Sequence, residues 1–379
     1  MNLPRVYLSP PHIGQLERQY VQEAFDQNWV SPVGPNLTAF EKELAEYNNI
    51  GFCAALSSGT AAIHLALILA GVDRDDEVIC SSFTFSGSCN PIAYMQATPV
   101  FVDSESLTWN MDPDLLEEAI KDRIQKKGRK PKAIIVVHLY GMPAQIERIK
   151  SIAQRYEIIL IEDAAEALGA KVNDQHLGTF GDFGIYSFNG NKIITTSGGG
   201  ALVAHQQNWV DKARFLATQA RDQAPHYEHT QIGYNYRLSN ISAGIGRGQL
   251  AVLNERIAKR RQIYEWYRKY FNANSKVQFL PEPNGYFANR WLTTVLFANP
   301  EIQGELTREK VRIQLEKDNI ESRPLWKPMH LQPVFKNAPA YVNGVSESLF
   351  KCGLCLPSGT AMDEDIVLKI AEKITRVIY

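Results

Sequence analysis

GDFGIYSFNGNKIITTSGGG, spanning Gly181 to Gly200, sets an apolar run at Ile185 to Phe188 against a polar turn, presents Lys192 and ends on three glycines. The strand-like IYSF directs the chain into a core, and the flanking glycines permit tight backbone excursions. Burial penalises an ammonium, so a lysine set here is favoured as the free amine, able to form a Schiff base with a carbonyl cofactor. The competing reading is an ordinary solvated lysine, the usual state of that residue. A Walker-type phosphate loop is excluded, because that pattern ends in Gly-Lys followed by Ser or Thr, whereas Lys192 follows Asn191 and precedes Ile193.

Upstream of this stretch, short apolar runs alternate with helical patterns. Phe52 to Ser57 leads through SSGT into AAIHLALILAG, a strand, a tight turn and a helix. At such a helix start the unpaired amides, with Ser58 and Thr60 hydroxyls beside them and Gly59 allowing close approach, can hold a phosphate; Ser and Thr also serve there as plain N-caps. Further strands are expected at Glu77 to Ser82, at TPVFVDS, at KAIIVVHLYG and at IILIEDAAEALGA. Nearly continuous apolar strands separated by helices imply a mostly parallel sheet covered on both faces, with ligands beyond the strands' carboxyl ends. SSGT, FTF, HLYG and EDAAE all follow apolar strands. Asp163, flanked by Glu162 and Glu166, then reads as a cluster of three carboxylates that needs a cation or a protonated partner such as a pyridinium nitrogen. A turn former or helix cap is the alternative for Asp163.

The 379 residues suggest two domains, or one large α/β domain with a smaller companion. The boundary is expected at the charged helix that starts near residue 251, giving a large domain over 1–250 and a small α+β domain over 251–379. Forty Lys and Arg against 41 Asp and Glu leave a net charge of −1, which provides no general pull toward nucleic acid or an anionic membrane. The run Lys259, Arg260, Arg261 reads as a solvated helix face. MNLPRVYLSPPHIGQLERQY has no apolar core of signal-peptide length, and no run approaches the roughly 18 apolar residues of a membrane span, so a cytoplasmic protein is expected. Five scattered cysteines do not form a disulfide framework, and the Cys352/Cys355 pair lacks the further ligands of a zinc site; buried core cysteines are expected, and no metal.

In order along the chain, SSGTAAIHLAL, FTFSGSCNPI, PVFVDS, HLYGMP, EDAAEALG, YSFNGNK and GYNYRLSNI resemble the DegT/DnrJ/EryC1/StrS family of sugar aminotransferases, pyridoxal-phosphate enzymes of fold type I. SFNGNKIITTSGGG and SRPLWKPMH are most similar to the transaminases of UDP-linked 4-amino sugars of the bacillosamine type. The resemblance implies that Lys192 forms the covalent aldimine with pyridoxal phosphate and acts as acid and base, with pyridoxamine phosphate as the intermediate form. It implies that Asp163 partners the ring nitrogen, Phe85 stacks on the ring, and Glu166 is a polar neighbour. Gly59, Thr60, Ala61 and Ser187 would hold the phosphate, joined by Asn235 from a second subunit of a homodimer whose active sites are shared.

On the same resemblance, Arg237 takes the carboxylate of the donor L-glutamate. Asn189, Trp326 and His330, together with the loop Trp29 to Asn36, face a nucleotide-linked keto-sugar. Asn189, Ser197, Gly198 and Gln145 depart from residues that many members carry and bear on sugar specificity. Dehydrases of the family lack the lysine, so Lys192 favours amino transfer over deoxygenation, and a 4-keto-6-deoxy UDP-sugar is the expected acceptor. Transfer to a 3-keto sugar, an amino-acid aminotransferase and a non-catalytic regulator on the same fold are the other readings.

Overall fold

The structure, a computed structural model, describes residues 4–272, 276–297 and 304–379, so the first three residues of the N-terminal stretch lie outside it. Its first strands are β1 (Phe52–Leu56), β2 (Glu77–Ser81), β3 (Thr98–Val102), β4 (Ala133–Val137), β5 (Ile159–Asp163), β6 (Lys171–Val172), β7 (Gln175–His176), β8 (Phe183–Ser187) and β9 (Gly200–Ala204). They are followed by β10 (Val277–Phe279), β11 (Tyr286–Phe287), β12 (Thr293–Phe297), β13 (Arg323–Pro324), β14 (Ala340–Tyr341) and β15 (Gly353–Leu356).

Eight strands form the main sheet in the order β1-β9-β8-β5-β4-β2-β3-β14. Pairing is parallel from β8 across to β14, while β9 runs antiparallel to both its neighbours, so β9 alone opposes the rest. Parallel strands need crossovers, and the intervening helices supply them on both faces. Side-chain alternation sorts each strand accordingly: Cys53, Ala55, Ile79 and Ile134 enter one apolar core, Ala54, Leu56, Val78 and Ile135 the other.

After the helix Leu253–Phe271, a second sheet of order β10-β12-β15-β13 packs on the helix Glu364–Ile378 around a third core containing Ile263, Val295, Leu354 and Ile370. The chain also returns to the first half: β14 pairs with β3, and β11 joins β6 and β7 in a small sheet. These two-residue strands carry no periodic signal of their own. The proposed boundary at residue 250 keeps the four-stranded sheet whole, although the later segment reaches across it at β11 and β14.

All five cysteines are free and buried, Cys352 closing the helix Val345–Cys352 and Cys355 lying in β15. The basic run is not a solvated face. Arg260 is only 2% exposed, and Arg261 pairs with Glu282 at 2.5 Å. Residues three and four apart on a helix share a face, but three consecutive residues point in different directions.

Candidate active site

The carboxyl ends of β1, β4, β5 and β8 and the amino end of β9 meet at one edge of the sheet, where a cavity of about 320 Å³ opens. Gly59, Thr60, Asp163, Glu166, Ser187 and Lys192 all line it, as do Phe85, Asn189 and Trp326. A neighbouring cavity of about 770 Å³, bounded by the N-terminal residues Tyr7 to Pro11 and by Arg323 to Trp326, shares Asn191, Trp291 and Trp326 with the first. The acid, amine and hydroxyl groups expected from the sequence lie in the smaller one.

Ser58 ends the β1 turn as the N-cap of the helix Gly59–Leu69, with extended backbone and its Oγ accepting from Ala61 N at 3.0 Å. The first intrahelical bond runs from Ala62 N to Ser58 O at 3.1 Å, so the amides of Gly59 and Thr60 are the helix-start donors left for an anion. Ala61 is corrected here: its amide is already taken by Ser58, and Ser58 lines the cavity in its place. Gly200 explains part of the triple glycine. A β-carbon there would fall on the Ser58–Gly59 peptide, so β9 can lie against the turn only without a side chain.

Asp163 ends β5 with its carboxylate fixed on both oxygens: Ser88 Oγ donates to Oδ2 at 2.6 Å and Ala165 N to Oδ1 at 3.0 Å. The expected trio of carboxylates is divided. Successive strand residues face opposite sides of the sheet, and Glu162 turns away to accept from the amides of Gly178, Phe180 and Gly181 and to meet His138 Nε2 at 3.0 Å. Glu162 is thus satisfied structurally, without a cofactor.

Lys192 follows β8 in a tight turn, its amide donating to Asn189 O at 2.9 Å. Its side chain is 12% exposed. The ammonium lies 3.5 Å from Glu166 Oε1 and 4.3 Å from the centre of the Trp291 ring. Glu166 is buried at the cavity wall, and burial pushes its carboxyl above the usual range even though Lys192 and the Tyr140 amide, which donates to Oε2 at 2.7 Å, pull the other way. Tyr140 adopts φ of 55° in the HLYG turn, stacks at 14° to Trp291 and accepts from the Trp326 amide at 2.9 Å. Phe85 is 52% exposed with its ring centre 5.2 Å from that of Trp326.

The remaining expected residues fall elsewhere. Arg237 is corrected: its guanidinium donates to Glu41 and, at 2.9 Å, to Ala55 O, so a buried internal ion pair occupies the cation expected to bind the donor carboxylate. His330 is corrected likewise, since its Nδ1 meets Ser82 Oγ at 2.7 Å and it lines neither cavity; burial holds its pKa below the ordinary imidazole value. Asn235 is exposed, bridged to Thr218, and lies outside its own chain's cavity. Sequence reasoning missed Ser88, Trp291 and Asn191. Ser88 sits inside FTFSGSCNPI and was within reach of that motif; Trp291, from beyond residue 250, carries no local signal.

Among the described residues no group of three His, Cys, Asp or Glu side chains could hold a metal ion, and no helix is long and apolar enough to cross a membrane. The residues present do fit pyridoxal phosphate. Helix-start amides with the Ser187 hydroxyl suit its phosphate, the fixed Asp163 carboxylate its ring nitrogen, and a largely buried amine its aldehyde.

The model of the DegT/DnrJ/EryC1/StrS aminotransferase family matches residues 11–375. The chain is 48% identical to the "Putative pyridoxal phosphate-dependent aminotransferase EpsN" of Bacillus subtilis (strain 168), covering 99% of this chain and 96% of that one. It is 37% identical to the GDP-perosamine synthase of Escherichia coli O157:H7, with 96% of each chain covered. The crystal structure of a DegT DnrJ EryC1 StrS aminotransferase from Brucella abortus superposes with a TM-score of 0.88 at 30% identity, covering 96% of this chain and 95% of that one. The chain belongs to the DegT/DnrJ/EryC1/StrS aminotransferase family and is a pyridoxal-phosphate-dependent sugar aminotransferase.

Proposed function

We propose that the enzyme moves the amino group of L-glutamate to C4 of a nucleotide-linked 4-keto-6-deoxy sugar, with UDP as the carrier, and so makes a 4-amino sugar for glycan assembly. The observation that carries the amino-transfer chemistry is the Lys192 amine, held between Glu166 Oε1 and the Trp291 ring in the cavity that also contains Asp163 and the start of the helix Gly59–Leu69. Support for C4 comes from the relatives named for making perosamine, a 4-amino sugar.

In this reading the amides of Gly59 and Thr60 and the Ser187 hydroxyl would anchor the phosphate, and Phe85 would be the residue against the ring. Asp163, steadied by Ser88, holds a proton on the ring nitrogen. The bound cofactor supplies the electron sink. Lys192 Nζ would take up and return the transferred proton, with Trp291 restricting its sweep and Glu166 keeping its charge nearby. Asn189 and Trp326, on the rim, contact the sugar.

Two further parts complete the proposal. The enzyme would be a homodimer: the family resemblance places Asn235 at the phosphate of a second copy, and its exposure on its own chain is compatible with that role. The protein works in the cytoplasm, where nucleotide sugars are made. Purified enzyme first converted with glutamate to its pyridoxamine form should then aminate a UDP-linked 4-keto-6-deoxy sugar, detected by mass spectrometry of the product. Faster turnover of the GDP-linked ketone would overturn the carrier, and turnover of simple keto acids alone would overturn the sugar.

A further inference from the structure

The carbonyl of Asn191 is the acceptor for two side chains from distant parts of the chain. Ser9 Oγ donates to it at 2.6 Å and Trp291 Nε1 at 2.7 Å. Behind both donors lies Arg260, on the helix Leu253–Phe271. Its NH1 donates to Trp291 O at 2.5 Å and its NH2 to Ser9 Oγ at 2.9 Å. The guanidinium is buried, no described carboxylate forms an ion pair with it, and its Nε has no partner. Burial, with Arg256 one turn away on the same helix, lowers its pKa to about 9.

A buried cation without a counter-ion is less favourable than an apolar side chain of similar volume. Packing therefore gives no reason for an arginine at this place. Its planar fork does: one guanidinium can orient a hydroxyl and a carbonyl at the same time, which neither a lysine nor an apolar residue can do.

The acceptor carbonyl stands one bond away from the reactive residue. The Asn191 carbonyl and the Lys192 amide belong to one planar peptide unit. Ser9 and Trp291 fix its oxygen end, and Asn189 O fixes its nitrogen end by accepting from Lys192 N at 2.9 Å. With that plane held, the origin of the Lys192 side chain is fixed. The Trp291 ring, whose own N–H makes one of the bonds, then lies 4.3 Å from the Lys192 ammonium.

We propose that Ser9, Arg260 and Trp291 are positioning residues for Lys192, acting through the Asn191–Lys192 peptide plane. The N-terminal segment and the segment beyond residue 250 thereby both set the direction of the reactive amine. The proposal rests on Lys192 being the reacting amine, as in the proposed function.

The test uses Ser9→Ala, which removes one donor, and Trp291→Phe, which keeps a ring over the amine but removes the other. Apoenzyme is treated with limiting N-hydroxysuccinimide acetate, and acetylation of Lys192 is measured by peptide mass spectrometry relative to the exposed Lys42, a readout that needs no cofactor. Holoenzyme is then mixed with glutamate for a single turnover, and melting temperatures are recorded. Each variant should shift the Lys192 to Lys42 ratio at least about threefold and slow the saturated half-reaction roughly tenfold, because misplacing a reacting group costs rate rather than binding. The apparent glutamate affinity and the melting temperature should stay near those of the parent protein. Unchanged ratios and rates in both variants would overturn the proposal, as would rate losses that simply follow lost stability. If instead Lys192→Ala apoenzyme still forms a borohydride-stable adduct with pyridoxal phosphate, the functional reading fails and not the positioning alone.

Discussion

Ser88 donates its hydroxyl proton to Asp163 Oδ2 at 2.6 Å, and Thr84 Oγ1 lies 2.7 Å from Ser88 Oγ, so a loop after β2 steadies the carboxylate that ends β5. In the proposed function Asp163→Asn would remove the charge that keeps the ring nitrogen protonated, and Ser88→Ala only the hydroxyl that steadies it. The glutamate half-reaction should slow by on the order of a hundredfold or more in the first, the range in which preorganised electrostatic contacts act, and by clearly less in the second. Stopped-flow absorbance of the two variants checks the order.

Gly200→Ala places a methyl group on the Ser58–Gly59 peptide at the point where β9 passes the helix start. The turn must move, and with it the Gly59 and Thr60 amides. Equilibrium dialysis should show weaker binding of both pyridoxal phosphate and free phosphate, while Gly198→Ala, which has open space around it, should bind both as the parent does.

Glu166 gives a pH signature. Its carboxyl is raised in the folded protein above the ordinary 4.5, chiefly by burial. Between those two values the folded chain keeps a proton that the unfolded chain has released, so stability falls as pH rises through that interval. Glu166→Gln removes this loss. In thermal unfolding of the apoenzyme, the melting temperature of the variant relative to the parent should therefore improve from pH 4 to pH 7; a difference independent of pH would count against a raised carboxyl.

The proposed homodimer with shared sites predicts complementation. Lys192→Ala and Asn235→Ala chains, each poorly active alone, should regain about a quarter of parental activity when unfolded, mixed in equal amounts and refolded. Half of the random dimers are then hybrids, each with one intact site. Activity equal to the mean of the two separate preparations would show that Asn235 does not serve a second subunit.

Most of the architecture was legible because parallel strands buried on both faces leave long apolar runs, and β1 to β5 with their helices follow from those runs alone. The chemistry at the strand ends was legible for the same topological reason: SSGT, Asp163 and Lys192 had to share an edge. Ala61 and Arg237 were misread because a sequence shows a donor but not the partner that has already claimed it, here Ser58 Oγ and Glu41. Glu162 was misread because two adjacent strand residues cannot both face the cavity. Trp291 and Arg260 were hidden for a third reason. Their positions depend on how the segment after residue 250 folds back on the first half, and no local pattern encodes that contact.

The central claim is that Lys192 is the amine that reacts with the cofactor. Protein saturated with pyridoxal phosphate, reduced with borohydride, digested and mapped by mass spectrometry should carry the phosphopyridoxyl mass on the Lys192 peptide alone, and Lys192→Ala should carry none. A stable adduct on any other lysine, or none on Lys192 in a protein that still transfers the amino group, would contradict it.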